Sequence, residues 1–263
     1  MMGEGSMTGR DVQAEIDRVS WYHEFDFGSG LRARSRIENI EIIRQIWQFI
    51  EHQLDRIDFR GKSVLEIGAW DGYWSFYAER RGTASVLATD DVTQNWAEGR
   101  GLLLARELLG SNVEIRQDVS IYDLSSLNRQ FDIILCLGVF YHLRDPFYGF
   151  TQIRHCCRPG TCVVVEGELG WTGMHPNEVR HFYNGWLEFL PSPSALEGLL
   201  KSAYLRIDSQ MWMHPHSSLP DAKDEMQSDR ALIVCAPFDG TNEMYTYKPH
   251  FGLHVYDERF RPS

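Results

Sequence analysis

Val64-Leu65-Glu66-Ile67-Gly68-Ala69-Trp70-Asp71-Gly72 is the stretch from which the rest of the chain is read. Its apolar run stops at Gly68, so residues 63–70 read as a buried strand and a tight turn, and residues 72–81 as a helix. Gly68 and Gly72 let the backbone turn sharply and come close to a ligand. The same alternation continues downstream. ASVLATD (84–90) reads as a second strand, 94–109 as a helix and NVEIRQD (112–118) as a third strand. FDIILCLGV (131–139) is a fourth strand, 146–157 a helix, and TCVVVEGEL (161–169) a fifth strand opened by Pro159-Gly160. Residues 194–202 read as a helix, and 204–213 with 230–237 as a closing antiparallel pair around a polar loop, 214–229. This pattern predicts an α/β fold: a doubly wound, Rossmann-like, mostly parallel sheet with helices on both faces. Upstream, Ile42, Ile46, Phe49, Ile50 and Leu54 fall near helical spacing, which predicts an N-terminal helical lid. The expected organisation is a disordered or tag-like start (1–19), a helical cover (20–60), the main domain (61–237) and an aperiodic, aromatic-rich tail (238–263).

Open parallel sheets bind ligands outside the carboxyl ends of their strands. Asp90 ends the second strand 22 residues after Gly68, with Asp91 beside it, and a carboxylate there suits the two hydroxyls of a ribose. A dinucleotide would ask for G-x-G-x-x-G, to bare the backbone to a pyrophosphate. Trp70 stands where that backbone would be bare, and Glu66 suits a cationic ligand better than an anion. Both point to S-adenosylmethionine (SAM), which has an amino-acid tail and no phosphate. Asp118 ends the third strand, placed to accept the adenine amino group while Val119 offers a backbone N–H. The fourth strand exits through Leu137-Gly138-Val139-Phe140-Tyr141-His142. The expected cofactor set is therefore Glu66, Gly68, Ala69, Trp70, Gly72, Asp90, Asp91, Asp118, Val119, Leu137, Gly138 and Tyr141.

Composition narrows the classes. The 263 residues are 43% apolar, which excludes a disordered chain. With 26 Lys and Arg against 37 Asp and Glu, the formal charge is −11. That balance weighs against a surface built for nucleic acid, although a local basic patch stays compatible with it. No run approaches the roughly 18 apolar residues of a membrane span, and MMGEGSMTGR has no signal-peptide pattern. The five cysteines lack metal-ligand spacing and are expected to be reduced core thiols of a cytoplasmic protein. His175, His214 and His216 lack it too, so no metal is expected.

Residues 63–166 resemble the core of class I SAM-dependent methyltransferases. WYHEFDFGSG (21–30), GVFYHLRDPF (138–147) and FLPSPSALEGLL (189–200) are similar to the branch of the tRNA wobble-uridine carboxymethyltransferases, a resemblance covering roughly 20–237. It implies that Tyr141 lies beside the transferable group and that Arg230 helps hold the carboxylate of carboxy-SAM. The family's lysine and Trp/Lys pair ahead of the nucleotide motif have no counterpart, because residues 20–50 contain no lysine. Plain SAM and a smaller acceptor are expected accordingly.

Methyl transfer from a sulfonium is an in-line displacement, with the nucleophile held about 3–3.5 Å from the methyl carbon. His142 is the first candidate base, since an ordinary imidazole titrates at about 6.5, and capping the following turn is its alternative role. His23, in the lid, is the second, and Tyr141 completes the catalytic set. Arg32, Arg34 and Arg36 form a basic cluster able to clamp an acidic group, or to pair with Glu38 and Glu41. Trp21, Arg34, Arg180, Tyr183, Trp186 and Arg230 are the expected substrate residues, and Glu166 and Glu168 are either bases or loop anchors. The function expected is methyl transfer from SAM to an oxygen or nitrogen of a small molecule, a specialised metabolite or sugar-like compound. The alternatives are a tRNA wobble-uridine methyl- or carboxymethyltransferase and a non-catalytic SAM-binding module.

Overall fold

A computed structural model describes residues 9–95, 97–170, 174–175, 177–182, 187–213 and 229–238. Their contacts group into two compact units, the first ending at Ser120 and the second beginning at Ile121. Each is taken in turn.

The first unit opens with helix α1 (Gly9–Ile16), where the sequence predicts a disordered or tag-like start. Ile16 is fully buried and its carbonyl accepts the Trp21 Nε1–H at 2.8 Å, which ties the helix to the chain after it. Strands β1 (Phe25–Gly28) and β2 (Leu31–Ala33) form an antiparallel hairpin. The predicted helical lid is thus a helix, a hairpin and a second helix, α2 (Ile40–Leu54). The hairpin follows from the two-residue alternation Phe25-Asp26-Phe27 and from Gly28-Ser29-Gly30, all three at positive φ (81°, 51° and 83°). Helix α2 buries Ile46, Trp47, Ile50 and Leu54, the face its sequence spacing predicts.

Strand β3 (Ser63–Ile67), helix α3 (Tyr73–Arg80), strand β4 (Ser85–Thr89), helix α4 (Arg100–Leu109) and strand β5 (Glu114–Arg116) complete the unit. The pairings β3·β4 and β4·β5 are parallel. Val64, Leu65, Leu87 and Ala88 are fully buried, as strands covered on both faces require. Helix α4 starts at Arg100 rather than at 94, because Glu98 and Gly99 turn through positive φ first. Strand β5 is shorter than its predicted span.

The second unit contains strand β6 (Phe131–Leu137), helix α5 (Pro146–His155), strands β7 (Cys157–Glu168), β8 (Val179–His181) and β9 (Phe189–Pro191), helix α6 (Pro193–Ser202) and strands β10 (Leu205–Met213) and β11 (Arg230–Pro237). The pairing β6·β7 is parallel, and β7·β11 and β11·β10 are antiparallel, the closing pair the sequence predicts. Both helices begin in the same way. The Asp145 side chain accepts the Tyr148 N–H and the Ser192 side chain accepts the Ala195 N–H, each with a proline at the helix start. The antiparallel hairpin β8·β9 carries Arg180, one of the expected substrate residues. With helices between parallel strands in each unit, the chain is of the mostly parallel, Rossmann-like α/β class.

All five cysteines are free thiols, and burial pushes Cys136 and Cys157 up to about 12, so they act as core side chains. No helix among the described residues is long and apolar enough to cross a membrane.

Candidate active site

In the first unit, the turn after β3 is built from unusual backbone. Gly68, Trp70 and Gly72 have φ of 67°, 54° and 82°. Glycine reaches this region without strain; Trp70 does not, and is held there by its surroundings. The Ala69 N–H donates to the Thr89 carbonyl (2.9 Å) and the Gly72 N–H to the Ala69 carbonyl (2.6 Å). A Cβ on Gly72 would lie 2.4 Å from Leu102 Cδ1, so the turn packs directly on α4.

Two acids flank this turn. Glu66 is 2% exposed and accepts the Ser75 hydroxyl of α3. Burial, with the Asp71 and Asp90 charges adding to it, pushes its carboxyl up to about 8. Glu66 is therefore a neutral acid near pH 7, until a cation arrives beside it. Asp90 follows β4 and is 7% exposed. It accepts Asn95 Nδ2 at 2.7 Å and the Asp91 N–H at 3.1 Å. Burial raises its pKa, and the Asn95 bond works the other way. Asn95 also reaches the Trp70 carbonyl at 3.4 Å, joining the acid to the turn. Sequence reading missed Asn95; a short amide five residues after a strand-end acid is its only signal.

Asp118 and Val119 also lie at this end, in an isolated bridge pairing Asp91 with Asp118. Both are already engaged. Arg116 grips the exposed Asp118 carboxylate at 2.7 and 2.9 Å and holds its pKa down. The Val119 N–H, expected to face adenine, donates to the Asp90 carbonyl at 3.2 Å.

His23 is not an exposed lid residue. It is 4% exposed, with Nδ1 2.6 Å from Asp71 Oδ1. Asp71 Oδ2 accepts the Tyr22 and His23 N–H groups at 3.0 and 2.7 Å. The imidazole stacks on Tyr73 (4.7 Å between centroids, 15° between planes), and among the described residues its Nε2 has no hydrogen-bond partner. Trp21 is buried, and Arg34 is exposed.

In the second unit, Gly138 follows β6 at φ 73°, its N–H on the Glu166 carbonyl at 3.0 Å. Leu137 pairs with Glu166 across β6·β7. A 3-10 turn, Phe140–His142, buries Tyr141 and leaves His142 exposed. Arg230, 7% exposed, donates to Glu166 through Nε (2.7 Å) and Nη2 (3.1 Å) and reaches the Tyr141 hydroxyl at 3.4 Å. Glu168 lies 3.9 Å from its Nη1. Burial opposes the Arg230 charge, but Glu166 and Tyr141 hold it protonated above its ordinary value. Glu166 is thus the partner of Arg230. Arg180 pairs with Glu178 at 2.8 Å. Tyr183 and Trp186, like His214 and His216, lie outside the described residues. No three His, Cys, Asp or Glu residues gather as a metal site among the described residues.

The profile of the family described as "Methyltransferase domain" matches residues 39–210. The chain belongs to the methyltransferase-domain family. This methyltransferase is 30% identical over 151 residues to the tRNA U34 carboxymethyltransferase of Methylococcus capsulatus, a match covering 56% of this chain and 45% of that one. It is 29% identical over 162 residues to the protein of the same name from Azotobacter vinelandii, covering 60% and 48%. The methyltransferase therefore matches about half the length of these curated relatives. Among solved structures it is similar to the N-terminal domain of EvdMO1 with SAH bound (TM-score 0.63, 18% identity, 90% of this chain and 100% of that one). It is also similar to an S-adenosylmethionine-dependent methyltransferase from Mesorhizobium loti (TM-score 0.52, 14% identity, 72% and 96%). These structures show a shared Rossmann-like fold. The Mesorhizobium loti neighbour is named as SAM-dependent, and the EvdMO1 domain has SAH bound. The residues of this chain's first unit are compatible with such a cofactor: the turn after β3 allows close backbone approach at two glycines, and Asp90 is a carboxylate at a strand end, a group able to accept a diol.

Proposed function

We propose that the chain transfers the methyl group of SAM, as methyl and not as carboxymethyl, to the wobble uridine of a tRNA. The observation that carries the donor half is the Arg230 cluster. Its guanidinium is gripped by Glu166 at 2.7 and 3.1 Å, with Glu168 at 3.9 Å. One cation facing two carboxylates leaves no net positive charge for a donor carboxylate, while a sulfonium is favoured. The acceptor half rests on the printed names of the relatives.

In this reading Asp90 holds the ribose hydroxyls, and Gly68, Ala69, Trp70 and Gly72 line the backbone approach. Glu66 gives up its proton as the cationic cofactor arrives. Asp91, Asp118 and Val119 border adenine, which would replace the Arg116 and Asp90 partners of the last two. Leu137, Gly138 and Tyr141 stay cofactor candidates on the strength of their sequence positions. His142, exposed on its turn, takes the acceptor's proton, and His23 acts through Asp71 as an anchor of the N-terminal segment. Trp21, Arg34, Arg180 and Arg230 remain the substrate candidates. The chain's residues orient donor and acceptor and receive one proton; the cofactor supplies the electrophilic methyl.

Incubating the protein with bulk tRNA and methyl-labelled SAM, then digesting the RNA, tests this. Label in a nucleoside heavier by one methylene supports it. A carboxymethyl adduct made only with carboxy-SAM overturns the donor reading. The net charge of −11 and the absence of lysine from 20 to 50 favour a second reading, a small acidic or sugar-like acceptor. Label in small molecules and none in tRNA would establish that one instead.

A further inference from the structure

The first unit contains a cavity of about 530 Å³ whose lining includes none of the nucleotide-motif residues. Its apolar lining is Ile16, Val19 and Trp21, and Arg32, Arg34 and Arg36 also line it. The three arginines alternate from β2, which holds Arg32, into the segment after it, a spacing that puts side chains of extended chain on one face. In a protein of charge −11 they concentrate positive charge, against Asp17 as the acid among the lining residues. The wall is built. Gln13 of α1 exchanges two hydrogen bonds with the Arg32 backbone (3.0 and 3.1 Å) and donates to Asp17 Oδ1 at 2.7 Å. Arg36 Nη2 donates to the Asp17 carbonyl, and the Arg36 N–H to the Trp21 carbonyl at 2.9 Å. Arg32 and Arg34 are exposed over this scaffold, Arg32 with its Nη2 3.3 Å from the exposed Asp26 carboxylate.

We propose that this cavity is a phosphate-binding site, taking the phosphates of a nucleotide, either within a polynucleotide or free. The Arg34 fork matches phosphate oxygens bidentately, Arg32 and Arg36 add positive charge beside it while holding Asp26 and the Asp17 carbonyl, and the cavity volume is that of a small-ligand pocket. Trp21 and Arg34, kept above as substrate candidates, belong to this lining, and phosphate binding here is measured without cofactor so that it is read apart from methyl transfer.

Calorimetry with inorganic pyrophosphate, ADP and bulk tRNA, on the SAM-free protein, tests it. Arg36 also holds the Asp17 carbonyl, so the variants of choice are Arg34→Gln and Arg34→Glu, each checked for an unchanged melting curve. Wild type is expected to bind pyrophosphate, and Arg34→Glu to bind it about 10-fold more weakly or worse, as loss of a charged hydrogen bond predicts. If tRNA binds, pyrophosphate displaces it and Arg34→Gln lowers its log–log salt slope by about one, the phosphate is that of a nucleic acid. If pyrophosphate and ADP bind and tRNA does not, it is that of a free nucleotide. Wild type that binds none of the three, or Arg34→Glu that binds like wild type, overturns the proposal. That failure would leave the labelling result on the acceptor untouched.

Discussion

His23 Nδ1 sits 2.6 Å from Asp71 Oδ1, and the other oxygen of the same carboxylate takes the backbone N–H groups of Tyr22 and His23. One side chain of the turn after β3 thereby fastens residues 22 and 23, 49 and 48 positions earlier in sequence. Asp71 is a structural clamp, and its mutation should loosen the N-terminal segment as a whole. Asp71→Ala is expected to cost about 3–5 kcal/mol, the usual range when one partner of a buried pair is removed. Urea unfolding would show it, and a double-mutant cycle with His23→Ala should give a coupling above about 0.5 kcal/mol. Additive single mutants would refute the clamp.

Glu66 carries a pH signature. Its folded pKa of about 8 lies above its ordinary 4.5, so the folded protein holds a proton that the unfolded chain releases between these values. By linkage, stability from this group is present below about pH 4.5 and is lost as pH rises towards 8. Glu66→Gln should remove that slope and make the cofactor-free protein relatively more stable at alkaline pH. Denaturation curves that keep the wild-type pH dependence in Glu66→Gln would show that the buried proton is elsewhere.

Asp90→Ala removes the proposed ribose acceptor and leaves Asn95 without its partner. SAM affinity should fall about 10- to 100-fold by calorimetry, the range for a charged hydrogen bond. Asn95→Ala, which leaves the carboxylate in place, should lose less. An unchanged dissociation constant in Asp90→Ala would remove Asp90 from the cofactor site.

Gly72 combines a φ of 82° with a Cβ position 2.4 Å from Leu102 Cδ1. Gly72→Ala therefore adds backbone strain to a steric clash, together worth about 2–4 kcal/mol. A melting temperature within a degree or so of wild type would mean that α4 can move aside.

Glu166→Gln frees the Arg230 guanidinium. The variant should lose stability, since half of a buried ion pair is gone. Its preference should also shift from SAM towards carboxy-SAM, measured as the ratio of the two dissociation constants. An unmoved ratio would break the link between Arg230 and the donor's charge.

Much of the strand–helix alternation was legible because fully apolar runs such as Ile133–Leu137 and Val163–Val165 have few other stable environments. The hairpin β1·β2 was not, although Phe25-Asp26-Phe27 alternates, because three residues are too few to outweigh the helical spacing that follows. The acids Glu66, Asp90 and Asp118 were each legible as strand-end carboxylates. Their states were not. Glu66 is a buried neutral acid, Asp90 shares its oxygens with Asn95, and Asp118 is gripped by Arg116.

By itself, then, the sequence determined the α/β class, the cofactor motif and the methyltransferase family, because hydrophobic period and glycine placement are local properties of the chain. Only the tertiary structure decided which polar groups meet. It paired His23 with Asp71, Arg230 with Glu166 and three arginines with one cavity. Charge, burial and proton affinity depend on neighbours distant in sequence, and folding alone brings those neighbours within hydrogen-bonding range.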